Sequence, residues 1–157
     1  MNSKFLILLI ALLALPAFAV NQVLYYEPKV VTLSGTIKFE TFPGPPEYSS
    51  IAEGDEAETY PFLLLDHPID VSSDQSYGDD YMEEPEKNVR IIQIAVTKDT
   101  TWSKLKSKKR VCITGNLYHS HTAHHKSRVL ISEDYTEYCS NTGKSYEHPK
   151  PPSLPRS

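Results

Sequence analysis

Four of the six histidines lie within seven residues, His119-Ser120-His121-Thr122-Ala123-His124-His125. Imidazoles at that spacing support three kinds of chemistry. The first is metal binding. Residues two apart on a strand point the same way, so His119 and His121 can meet one ion. His124 or His125 supplies a third ligand from across a turn, and Asp55 or Glu58 completes the set. Neutral imidazole suits zinc, copper or nickel, and relative affinities favour copper, so zinc and copper are the cofactors this cluster would take. The run lacks the fixed ligand-pair spacing of the specific metal motifs. The second kind is charge switching, because four neighbouring imidazoles protonate around about pH 6 and repel one another. The third is a polar hairpin tip whose rings bond backbone and water. Catalysis has thinner support. Any of the four histidines can serve as a general base. However, the chain has no Gly-x-Ser-x-Gly elbow, no phosphate-cradling glycine loop and no HExxH pair, and no electrophile-stabilising partner is visible.

The elements that position these residues read as β-strands. From Val30, the residues Val31, Leu33, Ile37 and Phe39 alternate with Thr32, Ser34, Thr36 and Lys38, a half-buried strand by its period of two. Gly35 stands in its middle, where a barrel strand bends. Thr41-Phe42-Pro43-Gly44-Pro45-Pro46 ends this strand and opens a long polar connection. Tyr60 to Ile69 is the second expected strand, stopping near Pro68. Val89 to Thr97 is the third. Asp99, Thr100 and Thr101 are N-cap types that predict a short helix running to Lys109, with Trp102 and Leu105 on one side. Arg110 to Tyr118 is the fourth strand, again with a central glycine, Gly115, and it resembles the first. Arg128 to Glu133 is the fifth.

Three strands, a helix, then two strands is the order of the OB-fold, a five-stranded, partly open barrel that binds ligands near the loops joining strands 1 to 2 and 4 to 5. The expected fold is therefore mainly β, an OB-fold-like domain over residues 30–139 with one short helix between strands 3 and 4. In that fold the histidine loop (strands 4 to 5) and the Pro-Gly-Pro-Pro loop (strands 1 to 2) share one side of the barrel. His119 and His121 keep the parity of Val111, Ile113 and Leu117, so both are expected at the barrel mouth. The candidate ligand-binding residues are Tyr48, Asp55, Glu58, Tyr60, His119 and His121. The candidate metal ligands are His119, His121, His124 and His125. Phe42 and Tyr48 are offered on a stiff proline scaffold, the form in which binding surfaces present aromatic rings.

The ends and composition bound the compartment. Residues 1–19 read as a secretory signal, with a positive Lys4, an apolar run from Phe5 to Leu15 too short to span a bilayer, and Ala17-Phe18-Ala19 as the cleavage site. No stable membrane insertion is expected once it is removed. Its loss takes the formal charge from −4 to −5, which disfavours nucleic acid as a partner. The acidic runs Glu53–Glu58 and Asp79–Glu86 and the basic run Lys98–Arg110 read as solvated surfaces. Cys112 and Cys139, an even count in an oxidising compartment, predict a disulfide worth roughly 3 kcal/mol by loop closure. Residues 140–157 are proline-rich and expected to be a disordered tail.

Several segments taken together resemble a known family. They are Phe42-Pro-Gly-Pro-Pro-Glu-Tyr48, Gly54-Asp55 with Glu58-Thr-Tyr60, Leu65-Asp66-His-Pro68, Val111-Cys-Ile-Thr-Gly115 and His119-Ser-His-Thr-Ala-His-His125. The family is one of small secreted bacterial proteins catalogued as domain of unknown function 4431, and the resemblance runs from about Val30 to Ile131. Lys126-Ser127 departs from a family pattern that tends to threonine and proline. The resemblance carries no activity, cofactor or catalytic residue. It implies that the two loops belong to one shared pattern. The compartment expected for the whole chain is secreted, in the bacterial periplasm. The function expected is a secreted binding domain that holds an envelope protein or small ligand between the two loops. The alternatives are a zinc- or copper-binding protein and a histidine-dependent hydrolase, with or without metal.

Overall fold

The computed structural model describes residues 21–77, 83–96, 102–103, 105, 110–139 and 146–148. Seven strands are present: β1 (Gln22–Tyr25), β2 (Val30–Pro43), β3 (Ala57–Ser72), β4 (Glu86–Ala95), β5 (Arg110–His119), β6 (Val129–Tyr138) and β7 (Tyr146–His148). Hydrogen bonding orders them β1-β3-β4-β6-β5-β2-β7, and an additional β3–β2 pairing closes the five long strands into a ring. Within that ring β4 and β6 run parallel. The result is a mainly β, OB-like barrel, as the strand order predicts, but the circuit is complete rather than partly open.

Closure depends on β2, which pairs β5 through Val30–Thr36 and β3 through Gly35–Pro43. Gly35 stands at the handover, where a Cβ would lie 2.1 Å from the Leu64 carbonyl oxygen. Gly115 occupies the equivalent crossing of β5 with β6. There a Cβ would lie 1.8 Å from the Ser132 oxygen, and the register shifts between Thr114 and Gly115. The likeness of these two strands in sequence therefore has one cause: in both, a neighbouring backbone approaches too closely for any side chain.

The inward row forms the core. Leu33, Leu63, Ile92, Val111, Ile113, Leu117 and Ile131 are fully buried within it. Of the expected helix, Trp102, Ser103 and Leu105 are helical, and its other residues lie outside those described. Leu105 is buried in the same core, and Trp102 stacks on Phe39 with centroids 6.2 Å apart.

Several element boundaries differ from expectation. β3 passes through Pro68 to Ser72 instead of stopping. Asp66, His67 and Pro68 have no registered partner on either side among the described residues, so the missing proline N–H breaks no ladder. Asp66 is tied across to β2 and β5 instead, accepting from Ser34 Oγ at 2.6 Å and Arg110 Nε at 3.0 Å. β1, not anticipated, runs parallel to the end of β3 and buries Leu24. Within the expected tail, Tyr146–His148 pairs with Val30–Thr32, and the rest lies outside the described residues, as does the expected leader at 1–19. Cys112 and Cys139 form the expected disulfide, Cα atoms 5.5 Å apart, joining β5 to the end of β6. No helix among the described residues is long and apolar enough to cross a membrane.

Candidate functional site

The Pro-Gly-Pro-Pro loop leaves β2 after Pro43 and is built on its own backbone. Gly44 N–H donates to Glu56 O at 2.7 Å, Glu56 N–H to Pro45 O at 2.8 Å, and Tyr48 N–H to Gly44 O at 3.0 Å. Its centre is Asp55, whose carboxylate accepts the backbone N–H groups of Glu47 at 2.8 Å, Ser49 at 2.6 Å and Ser50 at 2.7 Å. Those bonds, with Ser50 and Glu47 foremost, hold its carboxyl below the ordinary range. Asp55 is only 8% exposed. The structure thus places this candidate ligand inside the loop as its organising anion, with both oxygens already occupied. Tyr48 takes a left-handed backbone (φ 57°) and presents its ring toward the histidine loop.

The histidine loop begins where β5 ends at His119. Ser120 N–H donates to Arg128 O at 2.9 Å across the neck, and His125 N–H to Thr122 O at 3.1 Å within the turn. His119 belongs to the inward row, as parity requires. Its ring is edge-on to Tyr26, and Nε2 lies 3.2 Å from Glu86 Oε1. Beyond it the chain leaves the strand and folds over the outer face of the barrel, so parity no longer governs. His121 and His125 stand ring-to-ring with centroids 4.7 Å apart, and both contact Tyr118. His121 N–H donates to His125 Nδ1 at 3.0 Å, so that nitrogen carries no proton. Burial first, then His121 and His124, lower the His125 pKa and favour the neutral ring.

His124 goes a third way, to the Pro-Gly-Pro-Pro side. Its Nδ1 is 3.1 Å from Tyr60 Oη and 3.4 Å from Glu58 Oε2, and its Nε2 is 3.5 Å from Tyr48 Oη. Tyr60 donates its hydroxyl proton to Glu58 in a short bond. Burial first, then that carboxylate, raise the Tyr60 pKa, so the phenol stays protonated. Since the only Tyr60 proton goes to Glu58, His124 must donate from Nδ1, and in the neutral ring Nε2 then accepts from Tyr48. Four polar groups thereby form one directed chain, Tyr48 to His124 to Tyr60 to Glu58.

Tyr48, Glu58, Tyr60 and His124 therefore meet. His119 and Asp55 do not join them, and His121 pairs with His125 instead. Among the described residues no group of three or more His, Cys, Asp or Glu side chains is arranged to hold a metal ion. For the candidate set His119, His121, His124 and His125 the reason is geometric, since the turn after His119 sends the four rings to three different neighbourhoods.

Sequence reasoning missed Gln93, which fastens the histidine loop to the barrel. It is 4% exposed on the outer row of β4. Its Nε2 donates to His124 O at 2.9 Å, and its Oε1 accepts Lys126 N–H. Its own N–H donates to Ser127 Oγ at 2.9 Å, and Ser127 Oγ donates onward to Val129 O at 2.6 Å. The available signal was a lone amide within Ile91-Ile92-Gln93-Ile94, where a buried polar side chain needs a partner. Under the loops Phe62 and Leu130 are also buried on the outer row, forming a small apolar layer outside the barrel core. Lys126 Nζ lies 5.7, 5.5 and 5.9 Å from the ring centroids of Phe42, Tyr48 and Tyr60, in cation–π range, and so bridges the two loops. Beside this cluster is a cavity of about 290 Å³, lined by Tyr60, Gln93, Trp102, Tyr118, His124 and His125, among others.

Residues 91–132 match the model of a family described as Domain of unknown function (DUF4431), the family the sequence motifs resemble. The match spans the second half of β4, all of β5, the whole histidine loop and the start of β6; the Pro-Gly-Pro-Pro loop lies outside it. No curated protein and no solved structure matches the chain.

Proposed function

We propose that this chain, whose residues 91–132 match a family of unknown function, is a secreted, periplasmic binding domain. Its ligand sits where the histidine loop meets the Pro-Gly-Pro-Pro loop. The observation that carries this reading is the cavity of about 290 Å³ walled by Trp102, Tyr60 and Tyr118 beside the His124–Tyr60–Glu58 chain. Flat aromatic walls with a few convergent polar groups are the make-up of small-molecule sites, and this volume lies at their small end. The ligand class that fits is a compact molecule with one apolar face to lie against the rings of Tyr60, Trp102 and Tyr118. The disulfide and the apolar leader agree with an oxidising compartment. Metal capture is the weaker reading, because the four rings diverge. A hydrolase is weaker still, because both ring nitrogens of His124 are already engaged, by Tyr60 and Tyr48, which leaves this imidazole no free position from which to activate a water.

The test is a titration of isotope-labelled protein with a panel of monosaccharides and small aromatic amides, followed by NMR. The expected result is saturable shifts at Tyr60, Trp102 and His124 that vanish in Trp102→Ala. Shifts confined to other parts of the barrel would overturn the reading. Zinc and copper titration of untagged protein decides the alternative: submicromolar binding lost in the His121→Ala, His125→Ala double variant would replace ligand capture with metal capture.

A further inference from the structure

A second opening lies on the other side of Gln93. β4 pairs with β3 from Glu86 to Gln93, but with β6 only through Gln93–Ala95. Along Glu86–Ile91 no strand pairs with the opposite edge among the described residues. Between that edge and Lys126–Val129 lies a cleft of about 540 Å³ with Phe62 at its base.

The direction of the backbone groups follows from Gln93, whose N–H donates away from β3, to Ser127 at 2.9 Å. Successive residues of a regular strand alternate sides, so Ile91 and Val89 also turn N–H and C=O into the cleft. The regular stretch ends at Asn88, where the register shifts, the backbone is left-handed (φ 54°) and the N–H goes to the Asp70 side chain at 2.9 Å. The unpaired stretch of six residues is about 20 Å long. This is an open strand edge, a template for another chain.

The charge on the rim selects which chain. The cleft is lined by Lys87, Arg90, Lys126 and Arg128 against Glu40 and Glu86. Both acids are already engaged, Glu40 by Lys38 and Glu86 by His119 and Arg128. Lys87 is bound by Asp70. Arg90 is exposed and has no partner among the described residues, and Arg128 is largely exposed, with a single long contact to Glu86 at 3.4 Å. The chain is acidic overall, so this cationic edge is a local exception.

We propose that the cleft binds an extended acidic peptide, which adds as a strand along Val89–Ile91 with its carboxylates on Arg90 and Arg128. Main-chain bonds supply the affinity and the arginines the selectivity. This surface is separate from the His124 cavity, so either proposal can fail without the other.

The probe is a capped heptapeptide of alternating glutamate and valine, titrated into the full chain under NMR observation. Binding is expected to shift the Val89 and Ile91 amides and slow their hydrogen exchange. It should weaken at least tenfold in the Arg90→Glu, Arg128→Glu double variant, whose changes are both on the surface, and persist in Tyr60→Ala. Four outcomes would overturn the proposal: no binding at millimolar peptide, equal binding of a lysine–valine peptide, equal binding of a peptide methylated at alternate backbone nitrogens, or shifts confined to the His124 cavity.

Discussion

The two loops at the candidate site are each organised by one polar side chain with little exposure, but from opposite directions. Asp55 organises the Pro-Gly-Pro-Pro loop from within it, gathering three N–H groups no more than eight residues away. Gln93 organises the histidine loop from the strand beneath, more than thirty residues away in sequence. The first loop carries its own scaffold and needs the barrel only at its two ends. The second closes on itself through Ser120–Arg128, His125–Thr122 and His121–His125, but is fastened to the outer face of β4. A charged anchor suits the first, where all the contacts are donors. A neutral amide suits the second, where one donor and one acceptor must be met together.

Perturbing the barrel should expose this difference most strongly. Gly115→Ala drives a Cβ into the Ser132 carbonyl and is expected to cost about 3 kcal/mol or more in urea unfolding. Exchange protection should fall throughout the histidine loop, while the Ser49 and Ser50 amides stay protected. Removing the anchors comes next. Gln93→Ala leaves the Lys126 N–H and the His124 carbonyl without their partner, and about 1–3 kcal/mol should be lost with the His124–Tyr60 contact. Asp55→Ala should instead speed exchange at Ser49 and Ser50 by roughly tenfold and leave His124 in place. Should either substitution disturb both loops equally, the contrast fails.

Acid should separate the loops more gently. The folded pKa of His125 lies below its ordinary value of 6.5. Its contribution to stability is therefore complete above the unfolded pKa and is lost as pH falls from there through the depressed folded value. Protonation also removes the acceptor that His121 N–H uses. Asp55 is likewise depressed, but from the carboxylate range, so its contribution holds until pH falls through that lower value. Between pH 7.5 and 5, about the window in which histidine titrates, amide protection, taken relative to the intrinsic exchange rate at each pH, should fall at His121 and Lys126 but not at Ser49. The smallest effect belongs to Tyr48→Phe. Its contact with His124 is 3.5 Å long, so stability should change by less than about 0.5 kcal/mol, with a visible shift only in the His124 ring signals.

The barrel was readable in advance because alternation in Val31–Phe39 and Val111–Leu117 reports directly on which face is buried, and because two glycines marked the crossings. The disulfide followed from the cysteine count. The ligand set was harder to read for a specific reason. Period-two parity holds only while a strand lasts, and it ends at His119, so it could not say where His121, His124 and His125 would turn. Asp55 reads in sequence as a carboxylate free to meet a ligand, because the N–H groups it gathers carry no side-chain signature. Gln93 looks like an ordinary outward residue of a half-exposed strand until a loop covers it. β1 is four residues long, with a single buried position, too short for any period to register.

The bridge from Cys112 to Cys139 encloses all but the first two residues of the β5–β6 hairpin within one covalent circle. A protease that cuts at the hairpin tip, near Thr122, would therefore open the circle without releasing either fragment. The nicked protein would migrate as one species until a reductant was added.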